Sequence, residues 1–165
     1  MLFENSKWIS ANPSIKSAPY FRKDFDSSKK LHSAKLGISG LGYYEVFLNG
    51  HRVGDHVLDP SQTDYEKRVF YLEYNVKDLI EDGINSIVVL LGNGWYHQNR
   101  VWGKRIKEKN INGEVIEGCE GYSYGEPKFL LDLELCYENG DQKTLNSSEE
   151  SMPLLNRLFL CDLIL

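Results

Sequence analysis

The sequence predicts an all-β protein, an antiparallel β-sandwich of the jelly-roll type. Apolar side chains recur at every second position through most of the chain, which is the period of a half-buried strand and not of a helix. Hairpin turns at Asn49-Gly50 and at residues 138–141 separate these alternating segments. Short strands joined by Gly, Asn and Asp turns are typical of sandwiches and jelly rolls.

The first third of the chain predicts three strands, at residues 21–25, 34–38 and 46–48. The third strand runs into Asn49-Gly50, where both residues tolerate positive φ and therefore favour a tight hairpin. Residues 51–53 then begin the returning strand.

The middle of the chain continues the pattern with one helical interruption. Residues 68–74 (RVFYLEY) are aromatic and β-branched, which favours a strand. Residues 76–82 predict a helical turn that ends at Gly83. The continuous apolar run at residues 86–91 (SIVVLL) predicts a strand that is buried on both faces.

The last part of the chain predicts a second hairpin after a long connection. Residues 129–136 alternate again, and the turn at 138–141 leads into residues 142–145. Residues 103–125 show no sustained period, and a connection of this length inside a domain is usually functional or mobile.

Length and charge limit the classes of function. The 165 residues suit one domain, and the formal net charge of -5 argues against a nucleic-acid partner, because phosphate binding requires a basic surface. The first residues lack the apolar core of a secretory signal, so we expect a cytoplasmic protein if Met1 is the natural start. The three cysteines are too scattered for a zinc site or a disulfide framework.

We expect the sandwich domain to span residues 1–150 and an apolar tail to span residues 151–165. The tail is too short to cross a bilayer, which needs about 20 residues. It is interpreted either as a terminal helix or strand that docks on the core, or as the end of a truncated continuation.

Five short motifs follow one another between residues 41 and 96. They are LGYYEVFLNG (41–50), RVGD (52–55), VLDP (57–60), TDYEKRVFY (63–71) and LGNGWY (91–96). Together, in this order and spacing, they closely resemble the N-terminal domain of bacterial α-L-rhamnosidases, whereas each motif alone is a weak signal. The resemblance extends weakly to Trp8 and to residues 128–140.

The resemblance implies an accessory role. Members of this glycoside hydrolase family cleave terminal α-L-rhamnose from glycosides, in a separate catalytic α/α-barrel domain that follows the β-domains. This chain has no segment of helical period long enough for such a barrel, and no nucleophile-elbow or metalloprotease motif, so we expect it to be inactive alone. Some related β-domains bind L-rhamnose with the help of calcium, and others act only in packing.

Aromatic and amide residues after the apolar run form the candidate sugar site. Aromatic faces pack against the C–H groups of sugars, and polar side chains bind their hydroxyls. The candidate residues are Asn93, Trp95, Tyr96 and Trp102. The alternative is that Trp95 and Tyr96 fill the end of the core while Asn93 sets a turn.

Two acidic residues between the predicted strands are candidates for calcium. Asp59 and Asp64 carry the oxygen ligands that calcium prefers, although turn formation is the alternative interpretation and the EF-hand spacing is missing. Three functions therefore stay open: an accessory domain of a rhamnosidase, a free-standing carbohydrate-binding module, and a structural spacer. Exposed aromatic surface would also favour a homodimer.

Overall fold

The computed structural model describes residues 3–11, 18–97 and 124–148, together with the backbone of three short strands outside these ranges. Twelve strands lie in the described residues. In chain order they are β1 (Ile9–Ser10), β2 (Tyr20–Asp26), β3 (Leu31–Leu41), β4 (Tyr43–Leu48), β5 (His51–Arg52), β6 (Tyr71–Asn75), β7 (Ile84–Gly92), β8 (Glu108–Lys109), β9 (Val115–Ile116), β10 (Lys128–Tyr137), β11 (Gln142–Asn146) and β12 (Leu154–Leu155). A short 3₁₀ helix, Lys77–Leu79, precedes β7.

Ten of these strands form two five-stranded sheets. The first sheet has the order β1-β10-β3-β6, and β11 also pairs with β10. The second sheet has the order β12-β2-β7-β4-β5, while β8 and β9 pair with each other. All strand pairs in the described residues are antiparallel, so the predicted antiparallel β-sandwich of jelly-roll type is confirmed.

The core lies between the two sheets and follows from the period-two pattern. Leu36 of β3 pairs with Leu133 of β10, and both side chains are fully buried. Val89 of β7, in the second sheet, is fully buried in the same core cluster. The rings of Phe21 and Phe129 meet edge to face with centroids 5.0 Å apart. Alternation thus directs one side chain in two into the core.

One prediction about β7 is wrong. Residues 86–91 were expected to be buried on both faces, but burial alternates along the strand. Ile87, Val89 and Leu91 are buried, whereas Val88 and Leu90 are only half-buried. The reason is that a sheet of a sandwich faces the core on one side only, so composition alone cannot show which face a valine occupies.

The predicted turns are confirmed in detail. Asn49 and Gly50 adopt φ of 51° and 80°, as a tight hairpin between β4 and β5 requires. A second hairpin joins β10 and β11, closed by the bond from the Tyr137 amide to the Asp141 carbonyl, 2.9 Å long. The helical turn is shorter than predicted, since only Lys77–Leu79 is helical.

The register brings separate loops together at each end of the sandwich. Leu41 pairs with Lys128 and Tyr43 pairs with Gly92, so Gly42 lies beside the residues that follow β7 and precede β10. We call this end the aromatic end.

At the other end of the sandwich, the Asn49 side chain donates to the Leu79 carbonyl at 2.9 Å, next to the start of β7. We call this second end the hairpin end. Among the described residues, no helix has the length and apolar character needed to cross a membrane.

Candidate functional site

Three tyrosine rings form one cluster at the aromatic end. Tyr65 meets Tyr96 edge to face at 5.3 Å between centroids, and it meets Tyr124 edge to face at 5.1 Å. Tyr96 and Tyr124 stack with an interplanar angle of 16° and centroids 5.7 Å apart. Such pairs contribute about 0.5–1.5 kcal/mol each beyond the area they bury, so the cluster is a preformed aromatic surface.

The cluster is assembled from three separate parts of the chain. Tyr96 lies in the turn after β7, which is closed by the bond from the His97 amide to the Asn93 carbonyl at 3.1 Å. Tyr124 precedes β10, and its amide donates to the Tyr96 carbonyl at 3.0 Å. Tyr65 comes from the long connection between β5 and β6.

Two glycines allow the turn after β7 to lie against the turn between β3 and β4. A Cβ on Gly42 would lie 2.4 Å from the Gly92 carbonyl oxygen, and a Cβ on Gly94 would lie 3.0 Å from the Tyr43 amide nitrogen. Both glycines also have positive φ, which other residues rarely adopt. Any larger residue at Gly42 or Gly94 would therefore move the turn that carries Trp95 and Tyr96.

Exposure separates the aromatic side chains into a supporting group and an accessible group. Tyr96 is buried, whereas Trp95 is 48% exposed and Tyr124 is 40% exposed. Burial, with smaller contributions from Tyr43 and Tyr124, raises the pKa of Tyr65, so its hydroxyl stays protonated at neutral pH. The arrangement offers apolar ring faces and neutral hydroxyls in one place, which suits a ligand with C–H faces and hydroxyl groups.

A histidine and a carboxylate lie beside the cluster. The His97 Nδ1 atom lies 2.9 Å from the Gly125 carbonyl oxygen and 4.0 Å from the Glu126 carboxylate. The His97 side chain is 22% exposed and that of Glu126 is 46% exposed. Solvent, and hence a ligand, can reach both groups.

Three of the four predicted sugar-site residues lie within the described residues. Asn93, Trp95 and Tyr96 lie in one turn at the aromatic end, and Trp102 lies outside the described residues. The Tyr96 side chain is buried, as the alternative interpretation expected, but Trp95 is exposed and does not fill the core. The Asn93 side chain is exposed, and the Asn93 carbonyl closes the turn.

The sequence pattern did not predict Tyr124 and His97 as members of this site, and it contained Tyr65 only within the TDYEKRVFY motif. Tyr124 sits at the end of a segment without period, so no pattern predicts that it packs on the turn after β7. The TDY motif does contain Tyr65, yet spacing alone cannot show that its ring reaches Tyr96.

The acidic candidates Asp59 and Asp64 each have a protein partner. Asp59 accepts from the Tyr74 hydroxyl at 3.2 Å and lies 3.4 Å from His56 Nδ1. Asp64 pairs with Lys67 at 2.8 Å. The described ranges contain no group of three or more His, Cys, Asp or Glu residues placed to hold a metal. These two carboxylates do not by themselves fit a calcium ion, which takes six to eight oxygen ligands, and calcium binding stays a prediction.

A concave surface lies at the hairpin end. This open cleft of about 660 Å³ is lined by Lys29, Lys77, Asp78 and Glu81 among others, and none of its lining residues is aromatic. The cleft is therefore a poorer match to a sugar ring than the aromatic end.

Comparison with known proteins decides the family. Residues 29–152 match the α-L-rhamnosidase N-terminal domain. The chain belongs to this family. It is 39% identical over 132 residues to an α-L-rhamnosidase of Formosa agariphila, covering 80% of this chain and 13% of that protein. It is 33% identical over 146 residues to an α-L-rhamnosidase of Streptomyces avermitilis, covering 87% of this chain and 12% of that protein. The resemblance in the five motifs is thus confirmed.

Solved structures agree with this assignment. The α-L-rhamnosidase of Aspergillus terreus superimposes with a TM-score of 0.73 at 29% identity, over 93% of this chain and 17% of that one. The Streptomyces avermitilis enzyme in complex with L-rhamnose gives 0.68 at 31% identity, over 84% and 12%. A lectin of Pleurotus ostreatus, at 15% identity and a TM-score of 0.53 over 93% of this chain and 35% of that one, shares the fold alone. The chain spans about an eighth of the length of the curated relatives that it matches.

Proposed function

We propose that this chain is a non-catalytic accessory domain of an α-L-rhamnosidase and that it binds carbohydrate containing L-rhamnose at the aromatic end. One observation carries the proposal: the exposed rings of Trp95 and Tyr124 lie at the same loop end of a domain of this family, with Tyr96 and Tyr65 as support. Exposed aromatic side chains on a rigid support bind a sugar ring with little loss of conformational freedom.

The parent enzyme's chemistry belongs to the remainder of the protein. The relatives named α-L-rhamnosidase are about eight times as long as the matched region, which leaves ample length for a catalytic α/α-barrel as the partner domain. The strand carboxylates Glu45 and Glu73 are paired with Arg52 and Lys35 at the surface. We therefore expect no turnover of an aryl α-L-rhamnoside by this chain alone, measured as release of the aryl group.

Calorimetric titration with L-rhamnose, with and without calcium, tests the binding role. Saturable heat is expected for the wild-type chain, and Trp95→Ala and Tyr124→Ala should each weaken binding by roughly tenfold, since an aromatic contact is worth about 0.5–1.5 kcal/mol plus the buried area. Tyr71→Ala is the matched control, because Tyr71 is 52% exposed but lies in β6. Heat that depends on calcium would also support the predicted calcium site; absence of heat under both conditions refutes the binding role.

A structural spacer is the second candidate, and one observation favours it. Val57, Leu58, Phe70 and Tyr71 are all large, apolar and 48–74% exposed, and Leu58 has a φ of 63° that a leucine rarely adopts. Exposed apolar residues of this number suit packing against a neighbouring domain. A chain that gives no heat with L-rhamnose, but associates with the remainder of the enzyme in sedimentation, would favour the spacer.

A further inference from the structure

The ring of His97 is held in one tautomer by its surroundings. Nδ1 lies 2.9 Å from the Gly125 carbonyl oxygen, and a carbonyl oxygen can only accept a hydrogen bond. Nδ1 must therefore carry the proton, and the Glu126 carboxylate 4.0 Å away stabilises that arrangement. In the neutral ring the other nitrogen, Nε2, is then a hydrogen-bond acceptor.

Within residues 3–11, 18–97 and 124–148, this acceptor has no hydrogen-bond or ion-pair partner. The ring is 22% exposed and adjoins Tyr96 in the chain. The neighbouring Glu126 carboxylate, 46% exposed, also offers oxygen atoms that accept hydrogen bonds. Two acceptors, Nε2 and the carboxylate that lies beside Nδ1 of the same ring, are thus present at the border of the tyrosine cluster.

We infer that His97 Nε2 and the Glu126 carboxylate are the polar contacts of the aromatic site, and that each accepts a hydrogen bond from a hydroxyl of a neutral polyhydroxy ligand. This inference rests on the proposed carbohydrate-binding function and adds to it the residues that recognise the hydroxyls. Hydroxyl groups complement two adjacent acceptors, whereas a carboxylate or phosphate on the ligand would meet the negative charge of Glu126.

Two substitutions separate this role from a structural one. In His97→Asn the amide nitrogen occupies the place of Nδ1 along the side chain and keeps a donor for the Gly125 carbonyl, but the Nε2 acceptor is lost. Glu126→Ala removes the second acceptor. His32→Asn is the matched control, because His32 is exposed in β3.

The experiment is calorimetric titration of the full chain with L-rhamnose and with its 2-, 3- and 4-O-methyl derivatives, in which one hydroxyl at a time can no longer donate. The wild-type chain should lose roughly two- to tenfold in affinity for at least one derivative, since a hydrogen bond is worth about 0.5–1.5 kcal/mol. The His97→Asn variant should bind L-rhamnose more weakly than the wild-type chain by the same roughly two- to tenfold factor. Methylation of the hydroxyl that His97 contacts should then cause no further loss of affinity in this variant. The Glu126→Ala variant should also bind L-rhamnose more weakly, and in this variant methylation of a different hydroxyl should cause no further loss of affinity.

Each outcome decides between the proposals. If the wild-type chain binds L-rhamnose and both variants bind it equally well, the inference is wrong and the proposed function stands. If His97→Asn weakens binding but every methyl penalty remains, His97 has only a structural role and the inference is again wrong. If the wild-type chain does not bind L-rhamnose at all, both the proposed function and this inference fall.

Discussion

Replacing Gly42 with alanine tests how the turn that carries Trp95 is held. Gly42 has a φ of 116°, and an added Cβ would lie 2.4 Å from the Gly92 carbonyl oxygen and 3.1 Å from the Pro127 Cβ. Left-handed backbone costs an L-residue about 1–2 kcal/mol. The overlap with rigid backbone costs about 1–3 kcal/mol more. We therefore expect Gly42→Ala to lower the free energy of unfolding by about 2–5 kcal/mol.

Gly83→Ala is the matched control for this substitution. Gly83 has a φ of 92°, but no atom lies within 4 Å of the position that its Cβ would occupy. Gly83→Ala should lower the free energy of unfolding only by the cost of the positive φ, about 1–2 kcal/mol. Urea unfolding measures both losses, and titration with L-rhamnose should show weakened binding for Gly42→Ala alone. Equal losses of stability in the two variants would refute the reasoning that close contact, and not φ alone, fixes this turn.

Three further substitutions test the account away from the turn. Burial and, to a smaller extent, Asp59 raise the pKa of Tyr74 to about 12, above its unfolded value near 10. The associated stability is therefore present below pH 10 and is lost as the pH rises from 10 through 12. In urea unfolding across that range, Tyr74→Phe should show a smaller fall than the wild-type chain; an identical fall would contradict this assignment. Phe129→Ala removes a fully buried ring and should cost about 3–5 kcal/mol in the same assay, a loss below 1 kcal/mol being inconsistent with the described core. Leu58→Ser should reduce any concentration-dependent self-association in analytical ultracentrifugation, because Leu58 is 64% exposed, and unchanged association would exclude it from the interface.

The strands were predictable where period and turn chemistry agree. Burial alternates at every residue of β4, and Asn49-Gly50 fixes the β4–β5 hairpin through its positive φ values. β6 begins at Tyr71 and not at residue 68, because the carbonyls of Arg68 and Phe70 accept from the side chains of Thr63 and Ser39 in an irregular lead-in. Such side-chain bonds leave no periodic signal in the sequence.

The site was predictable only in part, for a related reason. The LGNGWY motif places Asn93, Trp95 and Tyr96 in one turn because they are neighbours in sequence. Tyr65 and Tyr124 join them only through tertiary packing, in which the residues before β10 bond to the turn after β7. The local sequence pattern predicts individual strands and turns. The contact between two loops depends instead on the register of the sheet strands, which brings the ends of those strands together.

The most direct test of the account is NMR observation of the chain during titration with L-rhamnose, in the presence and absence of calcium. We predict that the indole signal of Trp95 and the amide signals of Tyr124 and His97 shift together and saturate. The amides of Asn139 and Gly140, at the hairpin end, should stay in place. Shifts confined to the hairpin end, or spectra unchanged at high sugar concentration, would contradict the assignment of a sugar site to the aromatic end.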